Sequence, residues 1–389
     1  MKDIEEKACL CALAKIFGFE PKTALALIAH CGCASSVFSL DEKDVDGLLG
    51  PYSKYRNLIR KTAVYEAAEE LEMLGRNGTT FIGWGEEGYS DLLAECPDAP
   101  VGIYIRSRTP AADLWNRARS IAVVGSRDLS PYGREWCQRI VHGLADSAEK
   151  PLIVSGLALG TDICAHRAAV EAGLPTVAVL PTGPDSIYPF RHMEFAEQLC
   201  CTPGCALVTD YPPGTPPLAI HFLRRNRIIA GLSHATILTE SRIKGGGMMT
   251  ARLAFSYDRD VYALPGRVDD IRSQGCNLLI RSKIAEPVIS VEDLTRSLGL
   301  KASKGRGHGN RAQRLQETYS GRLDAGTIQK LEETLRLICS QKGITVEELA
   351  SAEGMAYSQA ATFTSMLEMD GFIQIDLLQR CFPAIMKRA

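Results

Sequence analysis

Four short stretches of this 389-residue chain, three of them with glycine, carry hydroxyl or basic side chains at spacings suited to holding an anion. The first is Gly125-Ser126-Arg127, directly after an apolar run ending at Val124. Glycine lets the backbone turn close to a phosphate, and a hydroxyl and a guanidinium can both bind one at the start of a helix. The second runs from Ser155-Gly156 to Gly160-Thr161-Asp162, where Gly156 and Gly160 open a second phosphate cradle. The third, His221-Phe222-Leu223-Arg224-Arg225-Asn226-Arg227, sets three arginines within four positions beside an aromatic ring. A stacking face next to a cationic track is what a single-stranded nucleic acid requires. The fourth, Lys244-Gly245-Gly246-Gly247, again precedes a helix. A single arginine of this kind would be read as pairing an internal carboxylate; the cluster together with Arg127 is read as an anion site.

Other chemistries lack their residues. There is no G-x-G-x-x-G with an acidic residue at ribose distance, no Walker lysine, no nucleophile elbow and no H-E-x-x-H. His166, His192 and His221 are isolated and read as core or surface histidines, and Asp162 as a helix-start residue. The 13 cysteines include no C-x-x-C, and the closest cluster, Cys200, Cys201 and Cys205, has no second ligand pair nearby. No catalytic residue, cofactor or metal is expected.

The elements that must carry these loops are legible as buried apolar runs: 120–126, 151–156, 175–181, 206–210, 235–240 and 260–266. Helical stretches such as Gly133 to Leu144 and Ile163 to Ala172 lie between most of them. Continuous apolar strands alternating with helices predict an α/β fold, a Rossmann-like doubly wound and mostly parallel sheet with its ligand crevice beyond the carboxyl ends of the strands. Two further β-like runs, 79–84 and 102–107, precede it.

The flanks differ in character. Residues 1–78 read as a small helical domain of helix-hairpin-helix or SAM-like kind, either a DNA-phosphate module or simply a packing unit. Residues 79–298 are the Rossmann-like domain with its leading extension. Residues 299–324, with Lys301, Lys304, Arg306, Arg311 and Arg314 and several glycines, read as a basic flexible linker. Residues 325–389 suggest three helices and a β-ribbon, a winged-helix-like module whose third helix carries no Lys or Arg and is read as structural or protein-binding.

Net charge is -2, so overall charge does not announce a nucleic-acid partner. Between 221 and 283, however, eleven Lys/Arg face five Asp/Glu, which concentrates positive charge on the loops just described. No run approaches the ~18 apolar residues of a membrane span. The acidic start MKDIEEKACL is unlike a signal peptide, so a cytoplasmic chain is expected.

Taken together, these residues resemble the DNA-processing protein A family, also called DprA or Smf. The resemblance runs through Ala122 to Arg127, Ser155 to Asp162 with Ala165-His166, Tyr188-Pro189, Pro212-Pro213-Gly214, Phe222, Arg225 to Ser233, Thr250-Ala251, Pro265-Gly266 and Gly275 to Ile280. It covers the central domain and, more weakly, both flanks. It implies a bacterial single-stranded DNA-binding protein that protects incoming strands in natural transformation and helps load the RecA recombinase. It further implies a homodimer through the central domain, and no enzyme activity. The DNA pocket it carries over includes Gly125, Ser126, Arg127, Phe222 and the arginine-rich segment after it, with Phe222 stacking a base and Arg127 holding a phosphate. The alternative is a nucleotide phosphoribohydrolase on a related fold, although the Pro-Gly-Gly-x-Gly-Thr motif of that group is absent.

Three positions depart from the family pattern. Ala219 stands where the family usually has a DNA-contacting lysine. His192 ends the Tyr-Pro-x-x-Asn motif, and Gly245-Gly246-Gly247 replaces Ser-Gly-Ser.

Overall fold

A computed structural model describes residues 2–301, 309–341, 343–376 and 378–384. The chain divides into two compact units, residues 1–302 and 303–389.

The first unit opens with helices α1 (Lys2–Ile16), α2 (Pro21–Cys31), α3 (Ala34–Val37), α4 (Glu42–Leu49) and α5 (Lys61–Arg76). Local chemistry sets several of their ends. Gly32 stops α2 in the left-handed region at φ 87°, and the Asp41 carboxylate caps α4 by accepting from the Lys43 and Asp44 amides. These helices do not form a separate domain. Their core of Leu10, Leu13, Phe17, Leu27 and Ala67 continues into Phe81 and Tyr104 of the two strands that follow and into Val101 just before the second of them. The boundary expected at residue 78 is therefore no boundary in packing, because the core that α1 shares with α2, α3 and α5 also takes in Phe81 and Tyr104 of those strands.

Nine strands build one sheet: β1 (Thr79–Gly83), β2 (Gly102–Arg106), β3 (Ser120–Val124), β4 (Leu152–Ser155), β5 (Thr176–Val179), β6 (Ala206–Thr209), β7 (Ala235–Leu238), β8 (Asp260–Ala263) and β9 (Glu286–Pro287). Their order is β1-β2-β6-β5-β4-β3-β7-β8-β9. The β1–β2 and β2–β6 pairs are antiparallel, and from β6 to β9 every pair is parallel. The interleaved helices are α6 (Asp91–Ala94), α7 (Ala111–Trp115), α8 (Pro131–Ala145), α9 (Thr161–Glu171), α10 (Met193–Cys201), α11 (Ala219–Gly231), α12 (Gly246–Ser256), α13 (Gln274–Arg281) and α14 (Val291–Ser297). This is the Rossmann-like, mostly parallel α/β fold.

Alternation along β3 shows why its residues read as continuously apolar. Ile121 and Val123 pack with Ile140, Leu144, Ala165 and Ala168 on one face. Ala122 and Val124 pack with Ile228, Ile229, Ala251 and Ala254 on the other. Both faces are covered, so every position is buried. From β3 the chain winds outward through β4, β5 and β6, then crosses back to β7 on the opposite side of β3. The switch point, and with it the ligand crevice, lies at the carboxyl ends of β3 and β7.

The second unit contains α15 (Gly309–Tyr319), α16 (Ala325–Ser340), α17 (Val346–Ala352) and α18 (Tyr357–Met369), with β10 (Ile344–Thr345), β11 (Ile373–Ile375) and β12 (Arg380–Pro383). The small sheet has the order β10-β12-β11, giving a winged-helix arrangement. Thr345 and Glu348 form the capping box read from the sequence. The stretch expected as a flexible linker needs correction beyond 308; residues 302–308 themselves lie outside the described residues. Gly309–Tyr319 is helical, and Leu315 and Tyr319, four residues apart, are buried in the core of this unit. The Tyr319 hydroxyl donates to Asp370 at 2.6 Å. One apolar pair on an otherwise polar helix is too faint a periodic signal to outweigh the basic, glycine-rich residues before it.

No helix among the described residues is long and apolar enough to cross a membrane.

Candidate nucleic-acid interface

The loops leaving β3, β4 and β7 meet at the switch point. The Thr161 amide donates to the Ser126 carbonyl at 3.0 Å, which joins the β3 loop to the start of α9. Gly160 holds φ 76°, and a β-carbon there would strike the Ser126 carbonyl. From the other side the first turn of α12 reaches Gly125, where a β-carbon on Gly247 would come within 3.2 Å of the Gly125 Cα. Buried Glu240, just past β7, accepts from the Ser130 amide at 2.9 Å and from the Ser130 hydroxyl, anchoring the start of α8. These bonds hold the backbone of the crevice in place before any ligand arrives.

Arg127 and two aromatic rings line it. Arg127 projects into solvent, with its guanidinium carbon 4.8 Å from the centroid of the Phe222 ring. Tyr188 meets the same ring edge-on at 5.3 Å and is itself 43% exposed. Phe222 is half-buried on the first turn of α11. A planar cation and aromatic faces in this arrangement can take a base by stacking and a phosphate by charge.

The rest of the arginine-rich segment behaves differently, and here the sequence expectation is corrected. Arg225 is 3% exposed, and its Nη1 donates to the Gly156 carbonyl at 2.6 Å and to the Val179 carbonyl. Burial lowers its pKa to about 10. Arg227 is buried too, paired with Asp210 and donating to the Asp98 carbonyl. These two guanidiniums hold the interior together and do not face a ligand. Arg224 is half-buried and donates to the Gly18 carbonyl at 2.6 Å. Asn226 is buried, with its amide 3.5 Å from the Gly246 carbonyl at the start of α12.

His221 is likewise internal. Its Nδ1 sits 2.8 Å from the Pro216 carbonyl and its ring 4.5 Å from that of Tyr211. Gly156 lies beneath the surface, while Lys244 and Gly246 are exposed, Gly245 is half-buried and Gly247 is buried. The Ser126 hydroxyl is engaged in its own turn, accepting from the Asp128 amide at 3.0 Å and donating to the Asp128 carbonyl at 3.1 Å. The structure therefore gathers Arg127, Phe222, Lys244 and the glycine backbone at the edge, and withdraws Arg225, Arg227 and His221 into the fold.

Sequence reasoning missed three residues. Tyr188, seen only as part of a motif, flanks Phe222. Arg242 is exposed two residues before Lys244. Arg272 reaches back to the β3 loop, bonding Asp128 at 3.1 Å. Both arginines fall within the basic surplus of 221–283, the signal that could have found them.

Behind the crevice lies a buried polar layer. His166 is fully buried; its Nδ1 is 2.7 Å from the Thr176 hydroxyl, which donates to the Ile153 carbonyl. With that proton committed, Nδ1 must carry the imidazole hydrogen, and Nε2 is left without a partner. Burial, with Arg225 and His192 adding to it, pushes His166 down to about 3. Burial raises Asp162, and Arg225 opposes that shift. Among the described residues, no group of three or more His, Cys, Asp or Glu could hold a metal ion.

The fold and its edge define a Rossmann-like α/β protein with a crevice equipped for anions and planar rings. The family model of DNA recombination-mediator protein A matches residues 80–299, and the chain belongs to that family. It is 37% identical over 211 residues to Protein Smf of Escherichia coli, covering 54% of each chain. Protein Smf of Synechocystis is 34% identical over 229 residues, or 59% of this chain and 56% of that one. DNA processing protein DprA of Streptococcus pneumoniae is 37% identical over 202 residues, 52% of this chain and 68% of that one. The chain thus aligns with about half to two thirds of the length of these relatives. The X-ray structure of the pneumococcal protein superposes with a TM-score of 0.62 at 29% identity, over 73% of this chain and 95% of that one. DNA processing protein A of Helicobacter pylori, whose structure concerns a single-stranded DNA binding mode, superposes at a TM-score of 0.50 and 26% identity, over 57% and 95% of the chains.

Proposed function

We propose that this chain is a recombination mediator that binds single-stranded DNA at the carboxyl edge of its sheet without reading base sequence. One observation carries the reading: Arg127 lies over the Phe222 ring, with Tyr188 edge-on, at the switch point of a doubly wound sheet. Phe222 stacks a base, Arg127 holds the adjacent phosphate, and exposed Lys244 and Arg242 extend the cationic track. The protein acts in the cytoplasm as a homodimer through the Rossmann-like unit. It shields incoming strands during natural transformation and assists RecA loading. It works by binding rather than by catalysis.

The phosphoribohydrolase alternative is not favoured. Its Pro-Gly-Gly-x-Gly-Thr motif is absent, His166 is sealed inside, and the acid on the β3 loop, Asp128, is paired with Arg272. Fluorescence anisotropy of labelled oligo-dT at two salt concentrations, with duplex DNA as competitor, tests the reading. Salt-sensitive binding that duplex fails to displace supports it. Equal competition by duplex, or no binding at low salt, overturns it. A strand-exchange assay with RecA on protein-coated DNA tests the loading role.

A further inference from the structure

A second ring lies against the same helix start. The Arg224 guanidinium carbon sits 3.9 Å from the centroid of Phe19, while Nη2 donates to the Gly18 carbonyl at 2.6 Å. The His221 ring lies 6.2 Å from that of Phe19. Phe19 occupies the tight turn between α1 and α2, closed by the Glu20 amide donating to the Phe17 carbonyl at 2.7 Å. The Arg224–Gly18 bond already fastens this turn to α11. The ring adds little to the packing, because it is 57% exposed.

The ground between the two rings is also unusual. Phe222 and Arg224 are two residues apart, which places them about 200° apart around the α11 axis. The exposed side chains of Leu223 and Ile220 fill the sector between them. Apolar and aromatic surface thus continues from Tyr188 and Phe222 across the first turn of α11 to Phe19. Cations stand along it: Arg127 at one end, Arg224 and the exposed Lys22 at the other. The acid nearest in sequence to Phe19, Glu20, is engaged with Lys54 at 2.7 Å. Exposed rings interleaved with cations suit successive bases and phosphates, whereas a protein-binding patch would be depleted in charge at its centre.

We propose that Phe19, backed by Arg224, is a second stacking platform for a base of the same single strand, so that the α1–α2 turn forms part of the strand's path. The inference rests on the single-stranded DNA reading. It adds a site in the helical region that the Rossmann-like edge alone would not supply, and it makes the bound length of strand exceed what Phe222 can hold.

The test compares Phe19→Ala, Phe19→Leu and Phe19→Trp with Phe222→Ala in the full chain, by anisotropy on oligo-dT of about 4 and about 20 nucleotides. Removing one stacking platform is expected to weaken binding of the long oligonucleotide about tenfold in the Ala and Leu variants. Trp should restore it, and the short oligonucleotide should be unaffected. Phe19→Leu keeps an apolar side chain in the turn, so an unchanged melting temperature separates lost stacking from lost folding. Photocrosslinking of wild-type protein to 5-iodouracil-substituted DNA adds a readout that needs no variant: a crosslink is expected in the segment between Lys15 and Lys22. Long-strand affinity equal to wild type in Phe19→Ala, with crosslinks confined to the Phe222 segment, overturns the inference and leaves the edge site standing. Failure of the wild-type protein to bind any single strand overturns both.

Discussion

Arg225 and Gly156 occupy one another's space: the arginine donates to the Gly156 carbonyl at 2.6 Å, and a β-carbon on Gly156 would collide with the guanidinium. A cation in the middle of an arginine-rich segment therefore serves as an internal brace, tying α11 to the loop after β4. Arg225→Ala leaves two buried carbonyls without their donor. It is expected to cost about 3 kcal/mol of stability, read as a lowered urea midpoint. Gly156→Ala is expected to destabilise in the same assay by forcing the guanidinium out of place. Neither should alter the salt dependence of DNA binding by the protein that remains folded. A stable Arg225→Ala protein with a weakened salt dependence would return this residue to the ligand site.

Arg127 should behave in the opposite way. It is exposed and braces nothing in the core, so Arg127→Ala should leave the melting temperature unchanged. Losing one phosphate contact should lower the slope of log K against log salt by about 0.7 for a single strand. Anisotropy titrations across a salt series check both the affinity and the slope.

Phe222→Leu separates stacking from charge. Base–aromatic stacking is worth about 1–3 kcal/mol, so affinity should fall by at least fivefold while the salt slope stays as in wild type. A variant that loses slope instead of affinity would show that the ring works by placing Arg127.

The exposed first residue of α11 offers a gain-of-function test. Ala219 stands where the family resemblance implies a lysine, and its side chain faces solvent. Ala219→Lys should tighten oligo-dT binding at low salt and increase the salt slope by about 0.7. An unchanged slope would place the strand's path away from the α11 start.

His166 predicts a pH dependence of stability. Its folded pKa, about 3, lies below the ordinary value of 6.5. Between those values the unfolded chain binds the extra proton, so the neutral imidazole's contribution is full above 6.5 and is lost as pH falls toward 3. The slope from this one group is at most about 1.4 kcal/mol per pH unit. His192, also depressed by burial, acts in the same sense. Asp162, raised by burial, acts in the other: its contribution is full below 3.8 and is lost as pH rises through its folded pKa. Comparing urea midpoints of wild type and His166→Asn at pH 7 and pH 5 isolates the histidine, and the variant should lose less stability on acidification.

Much of this architecture could be read before the structure. Strands such as Ser120–Val124 announce themselves because both faces are buried, so every residue is apolar or small. The glycine turns after β3 and β4 are legible because close backbone contacts leave no room for a side chain. Direction is what composition hides. Arg225 and Arg227 lie just before Ile228 to Gly231, where α11 is enclosed, and the helix carries them inward with that apolar run. Asp210, the partner that neutralises Arg227, lies 17 residues earlier at the end of β6, and no local pattern links the two. Phe222, on the helix that follows β6, and Tyr188, on the loop after β5, meet only through the sheet order. The leading strands β1 and β2 were visible as apolar runs, but their antiparallel attachment to β6 was not.

That attachment has a consequence for how the molecule behaves in a crowded cell. Without β1 and β2, the fully buried strand Ala206–Thr209 would border the sheet and offer its backbone to any passing chain. At the far border, β9 is two exposed residues long, and one of them, Pro287, has no amide to donate. The proline stop leaves that rim short of a donor, while at the other rim the border passes from β6 to β1, whose Phe81 is buried in the core shared with the leading helices.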